Sequence, residues 1–315
     1  MNGMGTSENP YIIMTAQDLF SMAEYGGNDI YFSLGADIDF NNTPYAENFT
    51  PITLNCRKLS GNNHVIRNVN YVTPESDSSM FILTGETQNI TIENLFIENI
   101  RLSGKNVYLF GNSGGIHNIS LKHCTVVMND MIVLSQTSAD ENYKHCIMHD
   151  NDIKISADYC TFLIKAQSYR IYPFFFGDTI SHTQMKFEVY VKVFSNSTGG
   201  YNSLITDSIV SDSYFFVNIS SNLTSCTVTF DFSSHTSRFS GCYLVCEMCS
   251  VLISLYWYGE IQSTCFYDID VLKKNNMTAV VLTDNNKNIY KLTTQQCKDA
   301  EYLRSIGFSC MGVYE

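Results

Sequence analysis

Three stretches decide the fold prediction: HVIRNVNYV (64–72), NITIENLFI (89–97) and GIHNISLKH (115–123). Each contains an asparagine beside an alternating apolar run, and these asparagines, Asn68, Asn94 and Asn118, are 26 and 24 residues apart. A second apolar strand follows each stretch: SMFIL (79–83), VYLFG (107–111) and MIVLS (131–135). A period of about 20 to 26 residues, repeated on the order of nine or ten times, is typical of stacked repeat units.

The composition favours strands. The chain contains 20 Tyr and 20 Phe, and only 16% of its residues are charged, so most of its polarity comes from Asn, Ser and Thr, which favour turns and strand faces. A doubly wound sheet requires a helical segment between successive strands, and the sequence shows none. Asn-Gly and Asp-Gly, the dipeptides typical of tight hairpins, are scarce. We therefore expect an all-β protein, a right-handed parallel β-helix with strands stacked in register. An antiparallel sandwich or propeller is the alternative.

A helix is predicted near the start of the chain. Thr15 and Asp18 form a capping-box pattern that begins a helix over 15–25, and Gly26-Gly27 ends it. The predicted apolar face of this helix comprises Leu19, Met22 and Ala23. Such a helix would cover the exposed strand edge that a stacked fold leaves at its end.

A second helical segment is predicted in the tail 291–308. Thr293 and Gln296 repeat the capping-box pattern, and Leu303 with Ile306 would cover the last coil. The predicted organisation is one elongated domain, with a cap over 1–60, β-helix coils over 61–285 and a cap segment over 286–315.

The charge balance excludes one class of partner. With 19 Lys and Arg against 31 Asp and Glu, the formal net charge is −12, which repels a phosphate backbone, so we expect no binding to nucleic acid. The first 20 residues show no basic segment followed by an apolar one, and no apolar run reaches the length of a membrane span. We therefore expect a chain made without a signal peptide and without membrane insertion.

Both ends of the chain resemble β-helical surface proteins of the phage tail, receptor-binding and bacterial adhesin type. The resemblance rests on MTAQDLFSMAEYGGNDIYFSLGADIDF (14–40), FTPI (49–52), LSGNNHVIRNVNY (59–71) and LTTQQCKDAEYLRSIGF (292–308). The usual G-N-G-H turn is Gly61-Asn62-Asn63-His64 here, and FSCMGVY (308–314) replaces a Trp-containing closing strand. The resemblance implies binding to cell-surface or polymer targets, often as trimers, and only sometimes catalysis.

Paired aspartates are the candidate catalytic residues. Two carboxyl groups about 5 to 9.5 Å apart can act as acid and base on a glycosidic bond. Alternate positions of a strand place two acids on one face, and a solvated strand face or turn gives the same pattern. The pairs are Asp37 with Asp39, Asp150 with Asp152, and Asp268 with Asp270.

The 11 cysteines are interpreted as reduced, buried thiols. They stand singly in apolar strands, as Cys124, Cys146, Cys160, Cys226 and Cys265 do. Another group, Cys242, Cys246 and Cys249, is spaced C-x3-C-x2-C without the second close pair of a zinc site. His145 and His149, beside Cys146, are weak metal-ligand candidates. We expect neither a metal nor a cofactor.

An aromatic stretch, Tyr256, Trp257 and Tyr258, is the candidate ligand-binding site. Exposed rings stack on sugars and anchor protein interfaces. Core packing or a subunit contact explains the same residues equally well.

The leading hypothesis is a non-enzymatic, virion-associated attachment or structural protein. It would bind a host-surface polysaccharide or other virion proteins, as a homo-oligomer with a trimer favoured. The alternatives are a β-helical polysaccharide lyase or glycoside hydrolase that uses paired aspartates, and a bacterial cell-surface adhesin.

Overall fold

The fold is described from a computed structural model. It describes residues 1–73, 76–84, 87–133, 148, 152–168, 175–176, 179–191, 200–203, 205–206, 209–211, 213–221, 228–231, 238–240, 243–249, 253–257, 260–261, 265–268, 270, 279–282 and 289–305. The chain divides into two compact units, Met1–Lys165 and Ala166–Glu315. Strands dominate both units and helices are few, so the predicted all-β class is confirmed.

The first unit is built from short strands and one helix, α1 (Ala16–Tyr25). Its strands are β1 (Tyr11–Ile13), β2 (Gly27–Leu34), β3 (Ile38–Asp39), β4 (Ile52–Leu54), β5 (Cys56–Ser60), β6 (Val65–Arg67), β7 (Asn70–Thr73), β8 (Ser78–Leu83), β9 (Gln88–Glu93), β10 (Phe96–Gly104), β11 (Val107–Asn112), β12 (His117–Lys122), β13 (Thr125–Val133), β14 (Ile153–Asp158) and β15 (Thr161–Ser168), the last of which crosses the unit boundary. A 3-10 turn covers Phe40–Asn42.

These strands form three sheets. The first has the order β1-β2-β5-β9-β12-β14, the second has β3-β6-β10-β13-β15 with β7 also beside β10, and the third has β4-β8-β11. The chain visits the sheets in turn, since β9, β10 and β11 lie in the first, second and third sheets and β12 returns to the first. Every strand pair given for the described residues is parallel. The antiparallel alternative is therefore wrong for this part of the chain.

The predicted repeat length is too short for most of the first unit. Side chains of neighbouring strands meet across separations such as 29 residues for Asn89 and Asn118 and 31 residues for Asn68 and Asn99. The stretch 89–97 is not one strand, because the chain turns at Asn94, whose φ is +50°. Because turns such as the one at Asn94 fall inside apolar runs, the sequence pattern matched asparagines that occupy different positions in the repeat.

Inward side chains of the first sheet form apolar columns. Ile90, Ile119 and Ile155 stand in register, as do Ile92, Leu121 and Ala157, and all six are at most 2% exposed. Complete burial of an aliphatic side chain contributes roughly 1.5–3 kcal/mol. The alternate positions of the same strands therefore face outward, and they are polar.

The predicted N-terminal helix is confirmed. The Thr15 hydroxyl accepts a hydrogen bond from the Asp18 amide, and the Asp18 carboxylate accepts one from the Thr15 amide, which completes the capping box. Leu19 and Met22 are fully buried, but Ala23 is exposed, so its predicted place on the apolar face is wrong. The helix packs against β4 and β1, which lie at the edges of their sheets.

The second unit is also parallel in every strand pair given for its described residues. Its strands are β16 (Phe175–Phe176), β17 (Thr179–Ser181), β18 (Gln184–Val191), β19 (Gly200–Ser203), β20 (Ile205–Thr206), β21 (Ile209–Ser211), β22 (Tyr214–Ser221), β23 (Val228–Asp231), β24 (Arg238–Ser240), β25 (Tyr243–Cys249), β26 (Ile253–Trp257), β27 (Glu260–Ile261), β28 (Cys265–Asp268), β29 (Ala279–Leu282) and β30 (Ile289–Leu292). Within the unit they pair in the orders β17-β21-β24-β27, β18-β22-β25-β28-β30, β16-β20 and β19-β23-β26-β29.

The helical tail is confirmed as two short helices, α2 (Thr294–Lys298) and α3 (Ala300–Ser305). The Thr293 and Gln296 capping box is present. Leu303 is 5% exposed, as expected of a residue on a covering face. Ile306 lies outside the described residues.

Candidate functional site

The Asp37 and Asp39 carboxylates are held mainly by strand β6 and by the residues directly before and after it. Asp37 Oδ1 accepts hydrogen bonds from His64 Nδ1 at 3.0 Å and from the Val65 amide at 3.1 Å. The His64 bond, with the help of the Val65 amide, lowers the pKa of Asp37. A carboxyl group held in its ionised form is a poor general acid near neutral pH.

Asp39 is held more extensively. Its carboxylate accepts from Asn68 Nδ2 at 2.7 Å, from Arg67 Nε at 2.9 Å and from the Asn41 amide at 3.0 Å. The Asn68 bond is the main cause that lowers the pKa of Asp39, and the Asn41 amide and Arg67 act in the same direction. The pair therefore fastens the two-residue strand β3 to β6, a role that the alternating aspartates alone did not reveal.

In each of the other two aspartate pairs, the structure describes the side chain of only one member. Asp152 is exposed and has a φ of +61°, while Asp150 lies outside the described residues. Asp268 is the last residue of β28, and only its backbone is described. Asp270 is exposed, and its Oδ2 accepts from the Thr294 amide at 3.1 Å, where α2 begins. Their catalytic use stays a prediction.

The side chains of the three aromatic candidates lie outside the described part of the chain. Tyr256 and Trp257 end β26, where only their backbone is described, and Tyr258 is not described. Their role as a ligand site stays a prediction.

The described cysteines behave as core residues. Cys56, Cys124 and Cys160 are buried free thiols, as predicted. Burial raises the pKa of Cys56 to about 12, and a hydrogen bond to Cys124, together with burial, raises the pKa of Cys160. The same hydrogen bond lowers the pKa of Cys124, so the conclusion that a thiol is protonated and weakly nucleophilic at neutral pH holds for Cys56 and Cys160.

The side chains of the cysteines and histidines considered as metal ligands are not among the described ones. In the described part of the chain, no cluster of three potential ligands is placed to hold a metal ion. Only the backbone is described for Cys246, Cys249 and Cys265, while the remaining candidates, Cys146, Cys226, Cys242, His145 and His149, lie outside the described ranges.

A chain of amides crosses the second sheet. Asn129 Nδ2 donates to Asn99 Oδ1 at 2.9 Å, Asn99 Nδ2 donates to Asn68 Oδ1 at 2.5 Å, and Asn68 donates to Asp39. Asn68 and Asn99 have φ angles of +64° and +51°, a region that asparagine tolerates better than most residues. This amide ladder, which ends on the Asp39 carboxylate, links four neighbouring segments of the chain. A spacing of about 30 residues was the signal that could have revealed it.

The outer face of the first sheet carries an array of polar side chains. Its columns in register across β9, β12 and β14 are Asn89, Asn118 and Lys154; Thr91, Ser120 and Ser156; and Glu93, Lys122 and Asp158. We call these nine residues the outer polar face. Asn118 Nδ2 donates to Asn89 Oδ1 at 2.8 Å, and Lys58 pairs with Glu93 at 2.6 Å. The arrangement suits binding by hydrogen bonds.

Comparison with known proteins gives little further information. No protein-family model matches the sequence, and no curated protein matches it. A crystal structure from Bacteroides ovatus, of a "putative immunoglobulin A1 protease", is 13% identical and has a TM-score of 0.42; the match covers 96% of this chain and 89% of that one. This similarity is too low to bear on fold or chemistry. Among the described residues, no helix is long and apolar enough to cross a membrane.

Proposed function

We propose that both units are built as right-handed parallel β-helices. The support comes from the way the chain visits three sheets in turn in the first unit, and from the parallel pairing of equivalent strands. An amide ladder and apolar columns in register are features that such stacking produces. Determination of an experimental structure tests the proposal, because a closed, right-handed coil is expected, and a left-handed coil or an open stack of sheets contradicts it.

We propose that the protein is a non-enzymatic attachment or structural component of a virion. It binds a host-surface polysaccharide or a neighbouring virion protein through its rigid outer surface. The observation that carries the proposal is the outer polar face, a preorganised array of amide, hydroxyl and balanced charged groups on a packed sheet. The Asp37 and Asp39 carboxylates support a non-catalytic role, because structural contacts hold both.

Binding to bacterial cells tests this function. Purified fluorescent protein is incubated with intact cells and with envelope polysaccharide, and heat-unfolded protein is the control. We expect saturable binding by the folded protein alone, and a discrete homo-oligomer, a trimer, in light scattering. Absence of binding combined with a monomeric state contradicts the proposal, and so does the release of reducing ends from the polysaccharide. The bacterial adhesin alternative predicts surface exposure on the producing cell.

A further inference from the structure

The middle column of the outer polar face consists of three hydroxyl groups. Thr91, Ser120 and Ser156 lie directly across from one another on β9, β12 and β14. Their hydroxyls make no hydrogen bond to any described residue. Neighbouring strands are about 4.8 Å apart, so the column offers a donor and acceptor at each step across the sheet.

The amides beside this column are only partly used. The hydrogen bond between Asn118 and Asn89 occupies one donor of the first and the oxygen of the second. Nδ2 of Asn89 and Oδ1 of Asn118 remain without a partner among the described residues. The face therefore presents both donors and acceptors in two adjacent rows.

The charge of the face distinguishes it from the whole chain. Among the nine residues Glu93 and Asp158 balance Lys122 and Lys154, and Lys58 of β5, in register with Thr91, pairs with Glu93; with Lys58 the formal sum is +1 on a chain of net charge −12. Lys122 stands between the two acids in one column. A face whose charges nearly balance contributes little long-range steering of polyanions or polycations.

The face also lacks the apolar centre of a stable subunit interface. Buried interface cores are enriched in aromatic and other large apolar side chains. The large hydrophobic residues that are exposed in the described part of the chain all lie off β9, β12 and β14: Met4, Met14, Tyr25, Val72, Ile116, Tyr159 and Leu163. A second copy of the chain is therefore a poor occupant of this face.

We infer that the outer polar face binds a neutral polysaccharide whose chain runs across the strands, along the Thr91, Ser120 and Ser156 column. The inference rests on the proposed attachment function and names its site and ligand class. Repeated sugar hydroxyls exchange hydrogen bonds with the column and with the Asn89 and Asn118 amides. Because apolar packing fixes the opposite side of each strand, the array is ordered before the ligand arrives.

The test uses the full chain and immobilised polysaccharides. Dextran, mannan and laminarin are the neutral probes, and alginate is the acidic probe. The triple variant T91A/S120A/S156A removes the hydroxyls, and T50A/N70A, which changes exposed polar residues elsewhere, is the matched control. We expect wild type and control to bind a neutral probe equally, and the triple variant to bind roughly tenfold or more weakly, since each hydrogen bond contributes about 0.5–1.5 kcal/mol.

A bulky single variant, Ser120→Arg, is a second route if the triple variant does not fold, and the same loss is expected. Unchanged neutral binding in folded variants overturns the assignment of the face and leaves the attachment function standing. Binding of wild type to alginate alone, or to cells but to no neutral probe, overturns the ligand class. A change of oligomeric mass in the variants shows a subunit surface and also overturns the inference. Binding to neither cells nor polysaccharides overturns the inference, and together with a monomeric state it also refutes the proposed function.

Discussion

Replacement of Asp39 by alanine should destabilise the first unit by about 2 kcal/mol. The change removes the acceptor at the end of the amide ladder, along with the partner of Arg67. A hydrogen bond to a charged group contributes about 1.5–3 kcal/mol, but an exposed ion pair contributes only about 0–1 kcal/mol. Asp39 and Arg67 are 29% and 43% exposed, so the ion pair adds little and the hydrogen bond from Asn68 dominates the loss.

Thermal unfolding measures this effect. For a unit of this size, 1 kcal/mol corresponds to about 2–4 °C, so the midpoint should fall by about 4–8 °C at pH 7. Asp29→Ala is the matched control, because Asp29 is exposed on β2 and makes no interaction with a described residue. Its midpoint should stay within about 1 °C of wild type, as expected for a surface substitution.

The pH dependence tests the electrostatic part of the reasoning. The pKa of Asp39 is lowered in the folded protein, so its stabilisation is complete above the unfolded pKa of about 3.9 and is lost as pH falls through the folded value. The gap between wild type and D39A should stay constant from pH 7 to about pH 5 and close in stronger acid. A gap below about 1 °C at pH 7, or one that widens in acid, would refute the reasoning.

Three further predictions concern buried or strained groups. Gln88 Oε1 and His117 Nδ1 are buried without partners among the described residues, on residues directly opposite each other on adjacent strands; the double variant Q88L/H117L should be less destabilised in urea than the sum of the single variants, because each single variant places a leucine against a buried polar neighbour and the double variant does not, and additive effects contradict this. Asn99→Ala should cost about 1–2 kcal/mol more than Asn99→Gly in the same assay, since both break the ladder but only alanine resists its positive φ; equal losses would show that strain is absent. Cys56 should resist alkylation at pH 8 in the native protein and react in denaturant, because burial raises its pKa to about 12; rapid native labelling, detected by peptide mass spectrometry, contradicts that assignment.

Local sequence signals predicted the helices better than they predicted the repeat. The capping boxes at Thr15 and Thr293 were legible because both partners lie within three residues of each other. The repeat was misread because a single left-handed residue such as Asn94 turns the chain without interrupting the alternation of apolar residues. Alternation reports which side of a strand is buried, and it does not report where the chain changes sheet.

The candidate aspartates show the same division. Their spacing placed Asp37 and Asp39 on one face, but the partners that define their role, His64 and Arg67, are 27 and 28 residues away in the sequence. Catalytic and structural carboxylates have the same local pattern. The difference lies in which donors the fold brings to them.

The sequence by itself determined that the protein is all-β, that helices lie near both ends, and that inward positions are apolar, because propensity, capping and alternation act over a few residues. Only the tertiary structure decided the register, the amide ladder and the outer polar face. These depend on pairing between strands about 30 residues apart, where a shift of one residue would exchange the buried and exposed sides of a strand.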